Sequence, residues 1–159
     1  MIQALKLLLA FVVVFLCQLY LAPLLKIINI RPDFILILLV FISSRYGRIT
    51  GILIGFSAGL MQDVTGSLSV LGANSLPKSI VGYTLGTLNG NLAIWTPRVI
   101  SLYIYGSLLV HALIYQLIMI QGMSASFGTA VNNILLEALM SSVMITGMRY
   151  LIPLVPSKQ

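Results

Sequence analysis

Three ionisable side chains lie deep inside apolar stretches of this 159-residue sequence: Lys78, His111 and Glu137. Such groups are costly in hydrocarbon and usually turn inward and pair. With the segments placed as below, and the fourth beginning near Val70, each lies on the order of 10 to 13 Å from the outer end of its segment. That common depth predicts a Glu137–Lys78 or a Glu137–His111 pair. If the fourth segment begins at Leu76 instead, Lys78 lies close to the surface. A proton or substrate site would be the functional use of the trio, but one acid and one histidine make a thin relay. A structural pair is the reading the residues favour. The chain holds three acids and one histidine in all, too few for enzymes built on paired carboxylates or zinc triads. No nucleophile–base pair, phosphate-cradling loop or metal-ligand cluster is visible, and no serine has a recognisable nucleophile setting. No catalytic, cofactor-binding or metal-binding residue is therefore assigned.

Two further patterns concern shape. Gly51, Gly55 and Gly59 recur every four residues, with Ala58 beside them and Asp63 continuing the row. Gly82, Gly86 and Gly90 repeat the spacing. Such strips let another helix backbone approach closely, either within the chain or from a partner. Asp63 precedes Gly66 and a run of small polar residues. It suits a carboxylate that ties a turn together by accepting backbone N–H bonds, and a contact to a partner or ligand is the alternative.

The elements that position these residues follow from composition. Hydrophobic residues make up 59% of the chain and charged residues 8%, against about 25% charged in a soluble domain. So little charge cannot cover a water-facing surface, so lipid is the solvent. A crossing helix needs about 20 mostly apolar residues, which predicts an all-α integral membrane bundle of about six spans in a single domain, 1–159. The spans read as Leu5–Leu25, Asp33–Tyr46, Ile49–Gln62, Val70 or Leu76 to Leu88, Pro97–Ile120 and Ala130–Ile152. Arg31-Pro32-Asp33 opens the second, with proline at a first-turn position and Asp33 complementing the positive end of the dipole. Arg45, Gly47 and Arg48 make a tight turn. Trp95 suits the membrane interface.

The net charge of +6 does not signal nucleic acid, because the basic residues form no stripe. They report topology instead. Lys6, Arg45, Arg48, Arg98, Arg149 and Lys158 fall on one side of a six-span arrangement, and Lys26 and Arg31 on the other. That bias places both termini in the cytoplasm. Cys17, the single cysteine, excludes an internal disulfide.

Arg31 to Leu88 resembles the MreD family of bacterial rod shape-determining membrane proteins. The likeness rests on Arg31-Pro32-Asp33, the Arg48 turn, Gly51-x3-Gly55-x3-Gly59-x3-Asp63 followed by Gly66-Ser67, and Ser79-Ile80-Val81-Gly82-Tyr83. By position, Arg31, Pro32, Asp63, Gly66 and the span-three glycines match the family motif. Lys78, His111 and Glu137 match no family pattern. The resemblance implies a non-enzymatic component of the cell-elongation machinery in the bacterial inner membrane. It implies binding of the bitopic protein MreC and, through it, a link between MreB filaments and the RodA glycosyltransferase with its penicillin-binding transpeptidase. The family also looks like the substrate-binding subunits of energy-coupling-factor transporters in fold. That makes a small-molecule-binding transporter subunit the alternative, with Lys78, Asn74 and Glu137 lining an outward pocket. No cofactor is implied.

Overall fold

The computed structural model describes residues 2–25, 32–66, 71–122 and 127–151. These residues form six helices and no strand: α1 (Ile2–Leu24), α2 (Phe34–Tyr46), α3 (Arg48–Thr65), α4 (Ser75–Gly86), α5 (Pro97–Gly122) and α6 (Phe127–Leu151). Arg31 and residues 67–70, which carry part of the expected motif and turn, lie outside the described residues.

Helix lengths divide into two groups. α1, α5 and α6 have 23, 26 and 25 residues. α2 and α4 have 13 and 12, about 20 and 18 Å at 1.5 Å per residue. The hydrocarbon core is about 30 Å thick. α1 and α5 carry apolar windows long enough to cross it, Leu7–Leu24 and Pro97–Ile120, whereas α2 and the Val131–Gly147 stretch of α6 are apolar but shorter. A helix this short would end within such a core, where backbone groups have no water. Such ends must be satisfied by the protein itself.

Large apolar side chains cover the exterior, where a soluble protein carries charge, and some polar groups are buried among the apolar core. Leu24, Ile49 and Leu102 are 83%, 76% and 74% exposed, whereas Lys78 and His111 are 0% and 1% exposed. Ser43, Ser107, Ser141 and Asp63 are buried as well. Apolar groups outside and polar groups inside are what lipid as solvent selects. Together with the helix content, this describes a helical membrane protein.

α3 and α4 form the tightest pair. α2 packs against both, α5 lies on α4, and α6 lies on α5 and touches α2. α2, α4, α5 and α6 thus close a ring. One apolar cluster unites Leu36, Leu39 and Val40 of α2 with Val81 and Leu85 of α4, Ile100, Ile104 and Leu108 of α5, and Ile145 of α6. Gly47 joins α2 to α3 in a single-residue turn at φ +90°, a conformation that disfavours a side chain. The Asn89 amide braces that turn by donating to the Arg45 carbonyl at 2.5 Å. α1 leans on α2 and leaves most of its surface to lipid.

Candidate functional site

The glycine strips of α3 and α4 face each other. A methyl group on Gly51 would strike the carbonyl of Gly82, and one on Gly82 would strike Gly51 in return. A methyl on Gly55 would meet the Lys78 carbonyl, one on Gly59 the Ser75 backbone, and one on Gly86 the Arg48 backbone. The small residues let two backbones touch, so these faces are occupied within the chain. Gly90 does not belong to the strip. It has open space around it and sits in a turn at φ +86°, because α4 ends at Gly86 and the chain turns away before Gly90.

Asp63 fixes the approach to α4. One carboxylate oxygen, Oδ2, accepts from Gly72 N at 2.9 Å, Ser75 Oγ at 2.9 Å and Ser75 N at 3.3 Å. The other, Oδ1, accepts from Asn74 N and Asn74 Nδ2, both at 2.9 Å. A carboxylate 2% exposed thereby satisfies the donors that α4 would otherwise leave unpaired at its start. Gly66 closes α3, its N–H donating to the Gln62 carbonyl at 2.8 Å. Its φ of −78° is open to any residue.

Asp33 performs the same task for α2. Its Oδ1 accepts from Ile35 N at 3.1 Å and Leu36 N at 3.3 Å, the geometry of an N-cap. Its Oδ2 pairs with Lys78 Nζ at 2.6 Å. Lys78 therefore pairs with Asp33, not with Glu137. Its ammonium also donates to Asn74 Oδ1 at 3.2 Å, so a continuous polar chain runs Asp63–Asn74–Lys78–Asp33. Although α4 begins at Ser75, Lys78 is buried, because the short α2 begins at the same level and covers it. Gln18 of α1 completes the cap. Its Oε1 accepts from Phe34 N at 2.7 Å and its Nε2 donates to the Pro32 carbonyl at 3.2 Å. Gln18 belongs to no motif in the sequence. A lone amide in an apolar run was the available signal.

His111 and Glu137 meet across α5 and α6, with Nδ1 3.3 Å from Oε1. The contact is close, but neither ring nitrogen of His111 makes a hydrogen bond. The ring stacks on Tyr115 with centroids 6.2 Å apart. The four groups thus form two close pairs, Asp33 before α2 with Lys78 on α4, and His111 on α5 with Glu137 on α6. No group of three or more His, Cys, Asp or Glu arranged to hold a metal is present among the described residues.

The family model for rod shape-determining protein MreD matches residues 1–155 of the chain. No curated protein and no solved structure matches it, and the comparisons show no likeness to transporter subunits.

Proposed function

The chain belongs to the MreD family of rod shape-determining proteins, and from that premise we propose that it is a non-enzymatic, multi-pass component of the cell-elongation machinery in the bacterial inner membrane. It binds an MreC-like bitopic protein and through it helps to couple MreB filaments to RodA and a penicillin-binding transpeptidase. Both termini lie in the cytoplasm, as the distribution of Lys and Arg favours. The observation that carries the reading is the family match over nearly the whole chain. The use of the buried polar groups supports it. Asp33 and Asp63 are committed to starting helices, and Lys78 to neutralising Asp33. Groups so engaged hold a surface in place.

That assignment also moves the expected partner surface. The glycine faces are filled, so a partner's span meets the outward side of the bundle and the turn around Asp63 to Asn74. The test is complementation with capture. In rod-shaped cells depleted of their own MreD, the tagged chain restores rod shape and retains the bitopic partner through detergent extraction. Round cells and no retained partner, with the chain stably inserted, would contradict the proposal.

A further inference from the structure

The chain has three acidic side chains, and each is engaged away from the turn between α2 and α3. Asp33 pairs with Lys78, Asp63 holds the start of α4, and Glu137 contacts His111. Arg45 and Arg48 flank that turn, and three peptide links keep their Cα atoms within about 11 Å of each other. Asp33 stands at the far end of α2 from Arg45, and Asp63 at the far end of α3 from Arg48, about 18 and 22 Å away along the helices. Both arginines are exposed, and neither guanidinium has a carboxylate partner among the described residues. α3 also begins there without a side-chain cap and without an acid in its first turn. Its first N–H groups and the positive end of its dipole face the same turn. The carbonyl end of α2 offsets only roughly half a charge of this. Positive charge thus gathers where the chain supplies no anion.

We propose that the turn between α2 and α3 binds the phosphate of an anionic phospholipid, held by Arg45 and Arg48. The direction of the side chains selects a lipid over a soluble acidic segment. The Arg45 guanidinium lies 6.0 Å from the centroid of the Phe41 ring, one turn back along α2. That of Arg48 lies 5.5 Å from the centroid of the Tyr83 ring, within the last turn of α4. Both fold back along the flank of the bundle instead of projecting off its end. That flank is apolar: Ile49 and Leu53 of α3 are 76% and 62% exposed. Guanidiniums at the edge of an apolar surface, beside aromatic rings, stand at headgroup level. Their planar forks match phosphate oxygens two at a time, and the rings hold the forks without neutralising them. The backbone beneath is fixed, because the Asn89 amide donates to the Arg45 carbonyl and Gly86 packs on the Arg48 backbone. A zwitterionic headgroup brings its own cation to the site, so an anionic one is preferred.

The site needs the membrane but not the bitopic partner, so the purified chain alone tests it. Native mass spectrometry in mild detergent measures binding of phosphatidylglycerol and of phosphatidylethanolamine with identical acyl chains, and the melting temperature of each variant is recorded. Wild type is expected to bind phosphatidylglycerol roughly tenfold more tightly, the scale of two guanidiniums at a membrane surface. Arg45→Gln/Arg48→Gln is expected to erase that preference with little change in melting temperature. Arg98→Gln, which removes a like charge from the first turn of α5, is expected to keep it. Should the double variant unfold, the two single variants decide, each with a partial loss expected. Equal binding of the two lipids by wild type overturns the proposal, as does a preference that survives in the arginine variants. A preference lost as fully in Arg98→Gln also overturns it, because net charge and not this turn would then be responsible. A soluble glutamate-rich peptide that displaces the lipid from wild type would assign the surface to an acidic protein segment and overturn it as well.

Discussion

Asp63 gathers more hydrogen bonds than any other side chain of the described residues, and all of them serve the first turn of α4 and the residues just before it. Its removal strands donors in a site closed to solvent, the carboxylate being 2% exposed. Asp63→Ala is therefore expected to lower stability by roughly 3 kcal/mol or more, and Asp63→Asn, which keeps one acceptor oxygen, by less. Thermal melting in mild detergent ranks the two. Lys78→Met leaves Asp33, 14% exposed, without its cation, and breaking a fully buried pair from one side costs about 3 to 5 kcal/mol, an upper bound for this partly buried partner. A double-mutant cycle with Asp33→Asn should show that most of this cost is shared between the two. The sequence made Asp63 legible as a turn-fixing acid, because a run of small polar residues followed it. It did not reveal the partner of Lys78. Asp33 already had a local explanation as the start of α2, and nothing in its neighbourhood points to a lysine 45 positions away.

At the scale of elements, α3 and α4 pack through backbone, with glycine where a side chain would intrude. Gly55→Ala places a methyl group against the Lys78 carbonyl and is expected to destabilise by about 2 kcal/mol or more through overpacking. Gly147→Ala, in open space on α6, should stay within ~0.5 kcal/mol of wild type. Unfolding of both variants under the same conditions makes the comparison. The glycine spacing was readable, since a four-residue repeat leaves a flat strip on any helix. Which strip met which was not, because spacing is silent on the partner. Gly90 shows where periodicity misleads: it keeps the register after the helix has ended. The helix starts at Phe34 and Pro97 were legible from Asp33 and Pro97. The start of α4 was not, because Asp63 determines it from outside the segment.

The molecule as a whole is a compact set of short helices, α2 to α4, with longer helices beside them. Among the described residues, the polar link from α1 to the rest is Gln18, which finishes the cap of α2. Gln18→Leu should loosen α1 while leaving the ring folded. Greater protease or thiol-reagent access at Cys17, with unchanged melting of the core, would register this. An apolar exterior followed from the scarcity of charge, and six helices from the chain length and the placing of the apolar runs and charges. The use of that scarce charge did not, since Lys78 pairs with Asp33 and Gln18 finishes the start of α2 across long stretches of sequence. The central claim is that buried packing and polar contacts shape a surface for another protein. It is tested most directly by the amount of bitopic partner recovered with wild type, Gly55→Leu and Gly147→Leu from the same membranes. The account predicts full recovery with wild type and Gly147→Leu and a severe loss with Gly55→Leu. Equal recovery from all three, or none with the wild-type chain, would contradict it.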